Sequence, residues 1–89
     1  MNILIVDDLH EVFLEKLDQA KIPYNYQPDI TREEAEQLIP EYEGLVIRSK
    51  FQVDSDFIDL GSKLKLIGRS GAGMDNIDEA YAGSKGIAL

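Results

Sequence analysis

The chain has 89 residues, and its nine Lys and Arg against seventeen Asp and Glu give a formal net charge of −8. This length fits one small domain, the acidic balance argues against a nucleic-acid-binding protein, and no apolar run approaches the roughly 20 residues that span a bilayer. The absence of cysteine excludes disulfides, thiolate zinc sites and cysteine nucleophiles. Because the N-terminus also lacks the features of a signal peptide, we expect a cytoplasmic domain without nucleic-acid or membrane partners.

The first part of the chain predicts a strand, a helix and an edge strand. Residues 3–6 are continuously apolar, which is typical of a parallel strand covered on both faces. A helix is predicted over residues 9–20 with Asp8 as its N-cap. Its apolar residues recur on one face at three- and four-residue steps: Leu9, Val12, Phe13, Leu17 and Ala20. Residues 22–26 contain Pro23 and predict a strand near a sheet edge.

The middle of the chain predicts a second helix and two further strands. Thr31 and Glu34 stand at the spacing of a capping box, which begins a helix that Pro40 ends. Residues 44–47 and 64–67 are short apolar runs, and each predicts a buried strand.

The remaining elements are two short helices and the beginning of a strand. Asp54 caps the first of these helices, and Gly61 stands at its C′ position. Its inward residues are predicted to be Phe57, Ile58 and Leu60. Asp78 caps the last helix, which ends at Gly86, and residues 87–89 begin a fifth strand.

The alternation of strands and helices predicts an α/β fold. Right-handed crossovers favour a flavodoxin-like, doubly wound parallel sheet of five strands in the order 2-1-3-4-5. In such sheets, ligands bind beyond the carboxyl ends of the strands. Residues 7–8, 48–50 and 69–73 are expected at that edge.

Positive charge is unevenly distributed along this acidic chain. Five of the nine basic residues fall between positions 48 and 69, where we expect them to gather at the sheet rim: Arg48, Lys50, Lys63, Lys65 and Arg69. Arginine suits carboxylate and phosphate, and a glycine-rich turn offers successive N–H groups to an anion. Two interpretations stay open: a site for a small anionic molecule, and surface ion pairs between Arg48 or Arg69 and the surplus carboxylates.

Three other patterns do not support a function. The acidic pair at residues 7–8 is typical of a receiver domain, but Arg48 and Ser49 stand where the phospho-accepting Asp is required. Residues 71–76 begin like a dinucleotide fingerprint, yet they end in Asn76 and do not open a helix after the first strand. The single histidine, His10, has no paired base or nucleophile, so it is expected to be a surface or capping residue.

Two motifs resemble the D-isomer-specific 2-hydroxyacid dehydrogenases, and look closest to their D-3-phosphoglycerate dehydrogenase branch. The first motif is GLVIRSK at residues 44–50, and the second, about twenty residues later, is LIGRSGAGMDNID at residues 66–78. The resemblance covers the whole chain, and the second motif is quite specific.

The resemblance implies that residues 1–89 are a single, truncated substrate-binding domain. Substrate-binding positions would be Arg48, Ser49, Lys50, Arg69, Ser70, Gly71, Ala72 and Gly73. Among these, the glycine loop would offer N–H groups to the substrate carboxylate, and Arg69 matches a position associated with a phosphate-bearing substrate. Ala72 would lie near the nicotinamide of the cofactor. Phe51 and Gln52 depart from the family pattern, in which Thr and a basic residue are frequent.

The resemblance also implies what these residues lack. In the family, NAD binds a separate Rossmann domain that carries the catalytic Arg, Glu and His, and the last helix of the substrate domain returns from the far C-terminus. We therefore expect no catalytic residue, no bound cofactor and no metal here, and no dehydrogenase activity in the isolated chain. Without its last helix the sheet would expose an apolar strip beside the first helix, so we expect a homodimer or higher oligomer. The alternative is a self-standing flavodoxin-like module that binds a small anion or a protein partner.

Overall fold

The computed structural model describes residues 2–69 and 76–89. Within these residues, the strands form one parallel sheet in the order β2-β1-β3-β4: β1 (Ile3–Ile5), β2 (Tyr24–Tyr26), β3 (Gly44–Ile47) and β4 (Leu66–Arg69). The helices are α1 (Glu11–Gln19), α2 (Arg32–Leu38), α3 (Ser55–Leu60) and α4 (Glu79–Ser84), and a short 3₁₀ helix, Ile39–Glu41, follows α2. The predicted α/β class, the parallel pairing and the edge position of β2 are confirmed.

The predicted fifth strand is a single β-bridge. Leu66 and Ala88 pair in parallel, the N–H of Ile67 donates to Ala88 O at 2.8 Å, and the N–H of Ala88 donates to Lys65 O at 2.9 Å. Residues 87–89 therefore lie beside β4, as the predicted order requires. The described residues nevertheless form four strands rather than five, because one bridge does not make a ladder.

The two faces of the sheet are covered unequally. The larger core cluster lies between one face and the helices α2, α3 and α4, and Phe57 of α3 is fully buried in it. The smaller cluster lies beneath α1, where Ile3, Ile5 and Val46 pack with Leu9 and Leu17. Because side chains alternate along a strand, β1 supplies Leu4 to the first cluster and Ile3 and Ile5 to the second.

Three predicted helix starts are confirmed by their caps. Thr31 Oγ1 accepts from the N–H of Glu34 at 3.2 Å, and Glu34 Oε1 accepts in return from the N–H of Thr31 at 3.1 Å. The carboxylate of Asp54 caps α3, and that of Asp78 caps α4. These side chains satisfy N–H groups that the first turn of a helix leaves without partners.

The predicted start of α1 is wrong. His10, not Asp8, is the N-cap, and its Nδ1 accepts from the N–H of Val12 at 3.2 Å. Asp8 instead accepts a hydrogen bond from Tyr26 Oη at 2.8 Å, which holds it outside the helix. The predicted apolar face is also only partly buried, since Val12 is 48% exposed and Phe13 is 42% exposed. Leu9 and Leu17 are buried against the sheet, whereas Val12 and Phe13 remain largely exposed.

The end of α3 differs from the prediction in two ways. Leu60 was expected to point inward but is 41% exposed, whereas Phe57 and Ile58 are buried. Gly61 is the C-cap with φ −83°, so it does not adopt the left-handed conformation of a C′ glycine. A Cβ at position 61 would lie 2.4 Å from Leu64 Cδ1, so a larger residue here would force the Leu64 side chain to move.

Candidate functional site

The carboxyl edge of the sheet brings two predicted site residues together. In the register of β3 and β4, Ile47 pairs with Arg69. Arg48, the next residue after β3, therefore leaves the sheet beside Arg69. Since β3 and β4 run in parallel, both arginines lie at the carboxyl edge of the sheet, which is where open α/β sheets bind ligands.

The other two basic residues of the predicted cluster lie elsewhere. Lys63 and Lys65 precede β4, and Lys65 Nζ pairs with Glu43, which precedes β3, at 3.0 Å. Both lysines therefore belong to the amino edge of the sheet. The prediction that all five basic residues gather at one rim is wrong. Lys63 and Lys65 lie before β4 and Arg69 lies at its end, so the length of this strand separates them.

Asp7 fixes the backbone of the segment after β3. Its Oδ2 accepts from three successive N–H groups, those of Arg48, Ser49 and Lys50, at 3.0 Å each. Burial opposes the ionised form of Asp7, but these three N–H groups and that of Asp8 outweigh it and hold the pKa of Asp7 below its ordinary value of 3.8. The N–H groups of residues 48–50 are therefore occupied by this carboxylate, and only side chains of that segment remain for a ligand.

The side chains of this segment make few contacts with the rest of the protein. Arg48 is exposed, and its Nη1 lies 3.5 Å from Asp8 O, at the limit of a hydrogen bond. Ser49 is exposed, and Lys50 Nζ donates to Pro28 O. Among residues 2–69 and 76–89, no carboxylate forms a salt bridge with Arg48 or Lys50. The interpretation of Arg48 as one member of a surface ion pair is therefore not supported.

Arg69 is held by a residue that the sequence did not single out for binding. Asn76 is a buried polar residue, 7% exposed. Its Oδ1 accepts from Arg69 Nε at 3.1 Å, and its Nδ2 donates to Phe51 O at 3.2 Å. The amide of Asn76 thereby connects β4 to the segment after β3 and fixes one edge of the guanidinium group.

Asn76 could not have been identified from sequence by its type. It stands in the second motif of the family resemblance, which predicts no role for it, and an Asn in a polar loop is usually exposed. Its neighbour Ile77 pairs with Val53 in an isolated parallel bridge, and the N–H of Val53 donates to Asn76 O at 2.7 Å. This contact between distant segments buries the amide, and no local pattern predicts it.

Tyr26 of β2 bonds to the segment that follows β1. Its hydroxyl donates to Asp8 Oδ1 and accepts from the N–H of Leu9 at 3.3 Å. The hydrogen bond to Asp8 raises the pKa of Tyr26 above its ordinary value. The hydroxyl is thus committed to fixing the turn after β1.

Four predicted site residues lie outside the described residues: Ser70, Gly71, Ala72 and Gly73. Their predicted roles at the substrate and the nicotinamide therefore stay predictions.

The described residues do not fit a dinucleotide. The turn after β1, where a Rossmann domain places glycines against a pyrophosphate, here contains the carboxylates of Asp7 and Asp8. His10, the only histidine, caps α1 and is exposed. In the described part of the chain, there is no group of three potential metal ligands, and no helix has the length and apolarity needed to cross a membrane.

An apolar cleft lies beside the cationic edge on the α1 face of the sheet. It has a volume of about 280 Å³ and is lined by Phe13, Val46, Gly68 and Arg69. Its lining residues come from α1, β3 and β4. Glycine at position 68 contributes to the opening because it places no side chain over β4.

Comparison with known proteins identifies the family. The sequence profile described as "D-isomer specific 2-hydroxyacid dehydrogenase, catalytic domain" matches residues 3–89. The chain is 33% identical over 89 residues to a D-3-phosphoglycerate dehydrogenase of Archaeoglobus fulgidus and 39% identical over 89 residues to one of Methanocaldococcus jannaschii. Each match covers 100% of this chain but only 17% of the relative.

A solved structure agrees with this assignment. The NAD⁺-bound 3-phosphoglycerate dehydrogenase of Entamoeba histolytica superposes with a TM-score of 0.82 at 28% sequence identity, covering 98% of this chain and 31% of that protein. A protein of Thermus thermophilus superposes with a TM-score of 0.87 at 21% identity, which shows the fold alone. From the match over almost its whole length, this chain belongs to the D-isomer-specific 2-hydroxyacid dehydrogenase family.

Proposed function

We propose that this chain forms the substrate-binding part of a D-2-hydroxyacid dehydrogenase and takes a small substrate such as 3-phosphoglycerate. The supporting observation is that Arg48, Lys50 and Arg69 follow or end neighbouring strands at one edge of a sheet in a chain of net charge −8. In this proposal, residues 1–89 are one truncated domain, and a nucleotide-binding domain lies outside them.

Each proposed binding residue has a distinct role. Arg48 and Arg69 present forked donors that suit the carboxylate and phosphate of the substrate, and Ser49 and Lys50 add a hydroxyl and a third positive charge. Because Asp7 occupies the N–H groups of residues 48–50, these contacts come from side chains. The glycine loop supplies N–H groups to the substrate carboxylate: Ser70, Gly71, Ala72 and Gly73.

The isolated chain is proposed to be catalytically inactive. Hydride transfer requires a cofactor held against the substrate carbon and a general acid–base beside the substrate oxygen. NAD would supply the hydride chemistry in the parent enzyme, where Ala72 would lie near its nicotinamide. In this chain, His10 is committed to capping α1. Purified chain should therefore not oxidise NADH with 3-phosphohydroxypyruvate, and turnover by a homogeneous sample would contradict the proposal.

Substrate binding is tested by titrating the ¹⁵N-labelled chain with 3-phosphoglycerate. We expect millimolar affinity, about 4 kcal/mol, because only one wall of the cleft is present. Arg48→Ala and Arg69→Ala should each weaken binding. Lys63→Ala is the matched control, since it removes the same charge from the opposite edge of the sheet. Equal weakening by Lys63→Ala would mean that net charge alone attracts the ligand, and no binding at all would refute the proposed function.

The exposed apolar side chains of α1 support a further part of the proposal, which is association into a homodimer or higher oligomer. Phe13 lines the open cleft and Val12, the residue before it, is exposed, and apolar patches of this kind favour association. Phe13→Asp should lower the sedimentation coefficient at high concentration. Leu60→Asp is the control, because Leu60 is 41% exposed, close to the 42% of Phe13, but lies on α3. A monomeric wild-type chain at high concentration would exclude this association.

The alternative function, a self-standing module for an anion or a protein partner, is favoured only by this same cleft. The two functions predict different reading frames in the gene. A reading frame that continues past position 89 into a dinucleotide-binding segment is expected for the dehydrogenase part and not for the module.

A further inference from the structure

The segment after β3 has the geometry of an anion-binding nest, but its anion belongs to the protein. Three successive N–H groups converge on one oxygen, and such concave groups of amides ordinarily hold a phosphate or another free anion. Here the N–H groups of Arg48, Ser49 and Lys50 each lie 3.0 Å from Oδ2 of Asp7. The second oxygen, Oδ1, accepts from the N–H of Asp8 at 3.3 Å.

The sheet places this carboxylate beside the segment that follows β3. Ile5 pairs with Val46, and the N–H of Val6 donates to Val46 O at 3.1 Å, so β1 and β3 remain side by side to their carboxyl ends. Asp7 then turns toward the segment that leaves β3. An ionised carboxylate accepts such bonds about twice as strongly as a neutral group does, which makes Asp7 the principal constraint on that backbone.

The conformation that results separates the backbone of the segment from its side chains. The N–H groups point inward to Asp7, Arg48 and Ser49 are exposed, and Lys50 Nζ turns to Pro28 O. We propose that Asp7 is a positioning residue that presents Arg48 and Ser49 to an anionic substrate while it keeps that substrate off the amides of residues 48–50. This inference rests on the proposed function, because it concerns how the same site is organised.

The first experiment compares Asp7→Ala with Asp8→Asn in the ¹⁵N-labelled chain. Asp7→Ala should raise the dissociation constant for 3-phosphoglycerate by about fivefold or more, and should lower the hydrogen-exchange protection of the amides of residues 48–50. Asp8→Asn removes the adjacent carboxylate, whose only hydrogen bond to the described residues is from Tyr26, and should change neither quantity. Affinity is measured on the folded resonances, so a loss of stability alone does not move it.

Chemical rescue tests the role of the carboxylate directly. Formate supplies the carboxylate that Asp7→Ala removes, so adding formate should restore both the protection of these amides and the affinity for 3-phosphoglycerate. Sodium chloride at the same ionic strength is the control. Formate should have no such effect on the wild-type chain, where Asp7 already holds the nest.

Three outcomes separate this inference from the proposed function. If the wild-type chain does not bind 3-phosphoglycerate, the proposed function fails. If the wild-type chain binds and Asp7→Ala binds equally well, Asp7 does not position the site and the inference fails. Should Asp7→Ala not fold, the amides of residues 48–50 in the wild-type chain are followed as the pH is lowered. A common midpoint for all three amides, below the ordinary carboxyl value of 3.8, is then expected as Asp7 becomes protonated, and amides that do not respond together overturn the inference.

Discussion

Replacement of Asn76 by Leu should destabilise the chain more than replacement of any exposed polar residue. Leu has nearly the same shape as Asn but neither donates nor accepts a hydrogen bond. The variant loses the bond from Arg69 Nε at 3.1 Å and leaves Phe51 O without the donor that lies 3.2 Å from it.

The magnitude follows from these two bonds. A hydrogen bond to a charged group contributes about 1.5–3 kcal/mol, and an orphaned buried acceptor costs about 1–3 kcal/mol. The apolar surface that Leu buries offsets part of this loss, so we expect a decrease of about 2–4 kcal/mol in the free energy of unfolding. A chain of this size has about 4–13 kcal/mol in total, so the change is large enough to measure.

Urea unfolding followed by circular dichroism is the assay, with Asn25→Leu as the control. Asn25, on the edge strand β2, donates to Tyr42 Oη and accepts from Gln27 Nε2 at 2.9 Å each, and both partners are neutral. Its loss should be smaller, about 1 kcal/mol. Asn76→Asp adds a further test. Its carboxylate can still accept a hydrogen bond from Arg69, but it has no donor for Phe51 O and repels that oxygen. Equal losses for Asn76→Leu and Asn25→Leu, or a loss below about 0.5 kcal/mol for Asn76→Leu, would refute the reasoning.

Three further predictions concern glycine, the core and pH. Gly61→Ala should lower the free energy of unfolding by about 1–3 kcal/mol, because the new Cβ would lie 2.4 Å from Leu64 Cδ1. Gly83→Ala in α4 should raise it by about 0.5–1 kcal/mol, because a Cβ there has no neighbour within 4 Å. Equal urea midpoints for the two variants would contradict this. Phe57→Ala should cost about 3–5 kcal/mol in thermal or urea unfolding, since Phe57 is fully buried, while Leu60→Ala at an exposed position should cost far less. The hydrogen bond from Arg32 lowers the pKa of Asp54 from 3.8, and the N–H groups of residues 48–50 outweigh burial to lower that of Asp7. A carboxyl with a lowered folded pKa stabilises above its unfolded pKa and loses that contribution as the pH falls through its folded value. The urea midpoint should therefore decline below about pH 4, and less steeply in Asp54→Asn; an unchanged profile in that variant would count against the Arg32 contact.

Much of the fold could be predicted from sequence because its determinants are local. Thr31, Asp54 and Asp78 cap helices through side chains that contact N–H groups only three residues away. The apolar runs of β1 and β3 are equally local signals. Asp8 was assigned as a cap for the same reason, but a contact with Tyr26, far along the chain, occupies it and leaves His10 to begin α1.

The site was harder to predict because its geometry depends on distant contacts. The motifs around Arg48 and Arg69 identified the segments, and the parallel register brings those segments to one edge. Asp7 bonds to residues 48–50, and Asn76 bonds to Phe51. These partners are too far apart in sequence for a local pattern to reveal the contact. For Lys63 and Lys65 the prediction was wrong, because it relied on their nearness to Arg69 in sequence. They lie at the opposite end of β4.

The parallel sheet has a consequence for how this chain folds. In the part of the chain that the structure describes, helical crossovers join consecutive strands, so these strands offer no hairpin as an early local nucleus, and Ile3 of β1 pairs with Gly44, about forty residues later. Topologies dominated by such distant pairings fold slowly, because the loop entropy is lost before the strands bond. During synthesis, β1 emerges first but its inner partner β3 follows only after α1, β2 and α2. The apolar segment Ile3–Ile5 therefore stays without that partner while nearly half the chain is made, which makes this interval the one in which a chaperone would have the greatest effect on yield.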